Sequence, residues 1–185
     1  TATVRTIEAE LGPLDLAILN AGTHVPTDAD NFATEDVRLL VDTNFIGTVN
    51  GIAAVLEVFK RRSCGHLAVV GSLAGYRGLP GAAAYGATKA ALINLCEALA
   101  PDLERSGIKL NLINPGFVET PLTAKNDFPM PFLMKAEDAA ISIARGLEKS
   151  AFEITFPSRF AALMKLLRIL PDRLFFTLTR RMLRS

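Results

Sequence analysis

Apolar residues fall into two alternating patterns along the chain. Short unbroken runs occur at 14–19 (LDLAIL), 66–71 (HLAVVG), 108–113 (IKLNLI) and, more briefly, 153–156 (EITF). Runs of that length and composition predict strands buried in a parallel sheet. Between them apolar residues recur at helical spacing over 3–11, from Thr34 into Asn44, over 46–59, from Tyr85 to about Arg105, and from Ala136 to about Glu148. Gly12-Pro13 closes the first helix, and Thr34 is placed as the N-cap of the second, with Glu35 and Asp36 in its first turn. Pro101 is expected to kink the long helix or end it early. Strands alternating with helices of this length predict an α/β fold, an open parallel sheet covered by helices on both faces.

In such sheets ligands bind beyond the carboxyl ends of the strands. Here those ends carry Asn20-Ala21-Gly22, Ser72 and Pro115-Gly116. Tyr85 and Lys89 follow at i and i+4 of a helix, which puts both side chains on one face. A phenol titrates near pH 10, and bringing it to about 7 takes roughly 4 kcal/mol. One cation at about 4 Å, in an effective dielectric of about 20, supplies a term of that size. The spacing therefore allows an acid/base tyrosine activated by a lysine, and taken alone it equally describes a half-buried tyrosine beside a solvated lysine. Gly71, Gly75, Gly78 and Gly81 do not form the Gly-x-Gly-x-x-Gly phosphate pattern and read as a close-packed crossing.

Five motifs, in order over roughly residues 1–157, make this chain similar to the short-chain dehydrogenase/reductase family. Asn20-Ala21-Gly22 resembles the family turn that steadies the central sheet beside the cofactor. Asn44, with Gly47 after it, resembles the helix asparagine that holds a proton-relay water. Ser72 resembles the serine that orients the substrate carbonyl, and Tyr85 with Lys89 resembles the Tyr-x-x-x-Lys pair. Pro115-Gly116, with Val118 and Thr120, resembles the loop that meets the nicotinamide. The resemblance implies a three-layer Rossmann-like sheet and interconversion of a secondary alcohol and a ketone with NAD or NADP. Tyr85 would be the acid and base, Lys89 would also bind the ribose hydroxyls, and Ser72 would donate to the developing oxyanion. It also implies a homo-oligomer built through the helices at 46–59 and 85–105.

Members of that family open with a strand, a glycine-rich turn and a helix that hold the pyrophosphate, and no such segment precedes Thr1. The expectation is a piece of a longer product, or a chain whose strand at 14–19 is covered by another chain. Residues 1–185 alone are expected to bind nicotinamide cofactor weakly or not at all, and the choice between NAD and NADP is not written in them. The contrasting expectation is a cofactor-deficient, non-catalytic remnant serving as an interaction or membrane-surface module.

Composition narrows the remaining classes. Of 185 residues, 50% are hydrophobic and 21% charged, which predicts one soluble globular domain. Cys64 and Cys96, and His24 and His66, lack metal-ligand spacing, so no metal site and a reduced, cytoplasmic setting are expected. No signal peptide is recognised, and no apolar run reaches the roughly 20 residues that span a bilayer. Lys60-Arg61-Arg62 reads as a solvated helix end rather than a nucleic-acid site. The loop at 121–135, with Phe128, Met130, Phe132 and Leu133, points to a small apolar carbonyl or alcohol substrate.

The net charge of +1 hides an asymmetry. From Ser158 onward seven Arg and Lys accompany one Asp, whereas residues 1–157 carry 13 basic and 18 acidic side chains. Residues 159–185 read as two amphipathic helices split at Pro171, a basic extension of the domain at 1–157. Packing against the domain or a dimer mate is the favoured role for it, with peripheral membrane contact, or a lid over a lipophilic or acyl substrate, as the other.

Overall fold

The short apolar runs form strands β1 (Leu16–Leu19), β2 (Gly65–Val70), β3 (Ile108–Pro115) and β4 (Glu153–Phe156), all parallel and in spatial order β1-β2-β3-β4. The computed structural model describes residues 2–125 and 129–182. Register places Leu16 beside His66, Leu112 beside Val69 and Ile113 beside Ile154. Around the sheet run α1 (Ala2–Leu11), α2 (Thr34–Leu40), α3 (Gly47–Arg62), α4 (Ala83–Arg105), α5 (Ala136–Leu147), α6 (Ser158–Ile169) and α7 (Asp172–Met182).

Strand alternation sorts the core into two layers. Leu67, Val69 and Leu112 face Ile52, Val55, Val58, Leu92, Ile93 and Cys96 of α3 and α4. Ala68 and Ile113 face the other way, with Ala139 of α5, Ile154 and Phe156. At β1, Ala17 and Leu19 pack into the first layer, while Leu16 and Ile18 are 38% and 44% exposed. The prediction of a parallel sheet flanked by helices on both faces therefore holds.

Four local expectations change. β1 begins at Leu16 rather than Leu14, and β3 continues through Pro115 because its end pairs with β4. The N-cap of α2 is Ala33, with no side-chain hydrogen bond, so Thr34 is the first helical residue and not the cap. The helices expected on either side of Asn44 are one continuous helix, joined by a π-helical stretch at Val41–Ile46. Joined, Thr34–Arg62 is long and apolar enough to cross a membrane by length and composition alone. It packs on the domain: Leu40 is buried, and Ile52, Val55, Val58 and Phe59 are buried in the core layer beside the sheet. Pro101 does not end α4, which runs four residues further because Leu103 is anchored in the core at 1% exposure.

The basic end of α3 is taken up by α1, which buries no residue. Arg61 and Arg62 pair with Glu8, and Arg5 pairs with Glu57. Such exposed pairs hold a helix loosely, each contributing about 0–1 kcal/mol.

Candidate active site

Helix α4 carries Tyr85 and Lys89, and its amino end is capped by a residue far away in sequence. The buried Thr27 hydroxyl accepts a hydrogen bond from Ala84 N (2.9 Å), and the Thr27 carbonyl accepts from Ala83 N (3.2 Å). Removing the hydroxyl in Thr27→Ala strands a buried N–H. The expected cost is about 1 kcal/mol, to be read as a shift in urea midpoint at constant slope.

Ser72 follows β2 in extended backbone, and its Oγ accepts from Ala74 N (3.1 Å), which turns the chain into the short 3-10 turn Leu73–Gly75. That turn lays the Ser72 hydroxyl beside the Tyr85 phenol, where it favours the phenolate. Lys89, 4% exposed, donates from Nζ to the Val70 carbonyl (2.8 Å) and sits 5.7 Å from the centre of the Tyr85 ring.

Asn44 lies in the π-helical stretch, a deformation that recurs at functional sites. Its Oδ1 accepts from Thr23 N (2.7 Å), and its Nδ2 donates to Thr23 O (2.9 Å) and Thr88 Oγ1 (3.2 Å). Thr88 Oγ1 in turn donates to the Tyr85 carbonyl (2.8 Å). Asn44 is thus a peg between the turn after β1 and the helix carrying Tyr85.

Asn20, Ala21 and Gly22 stay exposed on the same rim, with Gly22 closest to the centre. A Cβ built on Gly22 would lie 3.3 Å from Asn44 Oδ1 and 3.8 Å from Lys89 Nζ. Pro115 and Gly116 end β3, and Gly116 N donates to Phe156 O (2.8 Å). Val118 bridges to Met134, while Thr120 N donates to Thr123 Oγ1 (3.0 Å). These two residues shape the loop through backbone and turn contacts. Of the residues expected to make the substrate loop apolar, Phe132 stacks on Phe160 (6.0 Å), on which Phe117 also stacks (5.6 Å). Phe128 lies outside the described residues.

The electrostatics differ from the simple expectation. Burial raises the Tyr85 pKa, and the Ser72 hydroxyl only partly counters it. The Lys89 ammonium is hydrogen-bonded to the Val70 carbonyl and lies 5.7 Å from the centre of the Tyr85 ring. Burial also pushes Lys89 itself down to about 8. In the unfolded chain a lysine titrates near 10.4, so between these values the unfolded state binds the extra proton and stability rises with pH. Wild type is therefore expected to gain stability relative to Lys89→Met between about pH 8 and pH 10, measured by urea denaturation of both proteins. A difference that stays constant over this window would refute the buried, depressed lysine.

Two groups at the site escaped the sequence reading. His24 packs edge-on against Tyr85 with ring centres 4.9 Å apart, and burial lowers its pKa, which favours the neutral ring. No periodicity marks it, since it lies in an irregular loop. The second is a polar knot behind Ser72. Glu153 accepts from the Tyr76 hydroxyl, from Asn114 Nδ2 (2.8 Å) and from Lys165 Nζ (2.7 Å). Burial alone would raise the Glu153 carboxyl, but Lys165, Tyr76 and Asn114 outweigh it and hold it below the usual range. The knot ties the Ser72 turn to β3, β4 and α6.

A depression of about 450 Å³ lies at the opposite end of the sheet, between Ala100, Glu104, Ile108 and Phe152. None of the residues at the strand carboxyl ends lines it, and parallel sheets of this kind bind ligands at those ends.

The rim can accept a polar ligand. Among the described residues the Lys89 ammonium has one hydrogen bond, so two N–H donors are unspent. His24 Nδ1 is buried with no hydrogen-bond partner. These donors and this orphaned nitrogen lie beside Tyr85, and they suit a ligand rich in hydroxyls such as a dinucleotide.

A family description, short chain dehydrogenase, matches residues 1–129. An uncharacterized oxidoreductase of Myxococcus xanthus is 42% identical over 179 residues, which is 97% of this chain and 71% of that protein. Another from Staphylococcus epidermidis is 28% identical over 144 residues, 78% of this chain but 63% of its own length. A solved structure described as ElxO with NADP bound superposes with a TM-score of 0.73 at 25% identity, covering 83% of this chain and 71% of that one.

Proposed function

Because the chain belongs to the short-chain dehydrogenase family, we propose that it serves an oxidoreductase that interconverts a secondary alcohol and a ketone with NAD or NADP. The observation that carries this reading is the meeting of Ser72, Tyr85 and Lys89, from β2 and α4, at the carboxyl rim of a parallel sheet. Nicotinamide, when bound, supplies or accepts the hydride.

In the reducing direction the Tyr85 O–H gives its proton to the substrate oxygen as negative charge develops there, and in the oxidising direction the phenolate takes the alcohol proton back. Ser72 donates a hydrogen bond to the same oxygen, a contribution typically of about 3 kcal/mol. Lys89 stabilises the phenolate when it forms and turns its unspent N–H donors to the ribose hydroxyls. Asn44 acts as the positioning residue that keeps Thr23 and the Gly22 turn against α4. Pro115, Gly116, Val118 and Thr120 form the loop that would border the nicotinamide. Phe117, Phe132 and Phe160 make the adjoining wall apolar, which favours a lipophilic substrate. The testing experiment is reduction of apolar ketones with NADH or NADPH by the full protein and its Tyr85→Phe variant. Equal rates in the two would overturn the proposal.

A further inference from the structure

The C-terminal helices have a buried side that belongs to the core and an outer side that does not. Phe160, Ala161 and Met164 fix α6 in the first core layer. Arg77, from the crossing after Ser72, holds the junction: it donates to the Leu167, Arg168 and Leu170 carbonyls, pairs with Asp172 (2.5 Å) and stacks over Phe175 (4.1 Å). Docking in this way still leaves Leu163, Leu166, Ile169, Leu174 and Leu178 in solvent, with Ile169 at 76% and Leu174 at 56% exposure. A two-helix unit that is already packed on the domain therefore presents apolar side chains at helical spacing on its outer side as well, Leu163, Leu166 and Ile169 on α6 and Leu174 and Leu178 on α7.

Charge says what the stripe faces. Lys165 and Arg168 are directed at Glu153 and Glu97 of the domain. Arg159, Arg173, Arg180 and Arg181 are exposed and have no acidic partner among the described residues. A second copy meeting this face by two-fold symmetry would bring like patches of arginine together. An anionic surface would instead neutralise them, while the net negative remainder of the chain turned away. We infer that α6 and α7 form a peripheral docking surface for anionic lipid bilayers, with the leucine stripe entering the headgroup boundary and the arginines pairing with lipid phosphates.

This docking does not depend on the catalytic reading and is measured without turnover. The full protein is sedimented with vesicles of phosphatidylcholine alone or of phosphatidylcholine with phosphatidylglycerol. Binding is expected only to the anionic vesicles, and to fall about tenfold or more in Leu166→Asp/Ile169→Asp and in Arg173→Glu/Arg180→Glu. Thermal melts of both double variants should match wild type, because the altered side chains lie outside the core. Absence of wild-type binding, or unchanged binding in the variants, overturns the inference. A change of oligomeric state in the leucine variants by sedimentation velocity, without lipid, assigns the face to a second copy and overturns it equally.

Discussion

Tyr85→Phe is expected to lower kcat for carbonyl reduction by about 10²–10⁴-fold while the protein stays folded. The substitution removes only the hydroxyl that donates the proton. The ring keeps its edge contact with His24 at 4.9 Å and its place beside Lys89 at 5.7 Å. Because burial raises the phenol pKa, no large stabilisation of a phenolate is lost on folding, and the melting temperature should move little. The discriminating measurement is kcat set against KM in the full protein with a saturating nicotinamide cofactor. A fall in kcat with KM nearly constant marks a group that acts in the transition state, whereas a rise in KM alone would make Tyr85 a binding residue.

The second large effect is expected at Gly75, where the crossing after Ser72 lies against α4. A Cβ there would stand 2.7 Å from the Lys89 carbonyl carbon and 2.9 Å from Ala90 N. It would also meet Ile93 Cδ1 at 2.8 Å. The isoleucine can rotate away, but the helix backbone cannot. Gly75→Ala must therefore separate the turn from α4 at the point that sets Ser72 against Tyr85. Overpacking of this kind costs about 1–3 kcal/mol, which in a protein of this size lowers Tm by about 3–12 °C. A displacement of about 1 Å between reacting groups also costs up to about 10²-fold in rate. Differential scanning calorimetry and steady-state kinetics check the two effects. Gly78→Ala is the control, since nothing lies within 4 Å of a Cβ at that position. Equal behaviour of the two variants would remove the close approach as the reason for glycine at 75.

Much of the frame was legible because it is written in local periodicity. Glu153–Phe156 is a strand as expected, and the break at Pro171 separates α6 from α7. Tyr85 and Lys89 share one face of α4 because four residues make about one helical turn. What failed was local inference that packing overruled. Pro101 costs α4 a hydrogen bond, yet burial of Leu103 carries the helix on to Arg105. Asn44 looked like an interruption between two helices, and a π-helical stretch absorbs it within one. The polar residues Asp42, Thr43 and Asn44 within that stretch break the apolar run, which is why a count of uninterrupted apolar residues does not pick out Thr34–Arg62.

By itself, then, the sequence determined the strand and helix segments, their parallel arrangement and the rim where the polar motifs gather, since short continuous apolar runs, a helical period of 3.6 residues and short connections specify those. Tertiary structure alone decided the chemistry of the rim. Thr27 reaches α4 across 57 residues, and His24 reaches Tyr85 across 61, by loop paths with no periodic signal. The Lys89 ammonium spends its one hydrogen bond among the described residues on the Val70 carbonyl, and burial raises the Tyr85 phenol. Spacing along a helix says which side chains share a face; it does not say how much water they lose, and desolvation is the larger influence on both groups here.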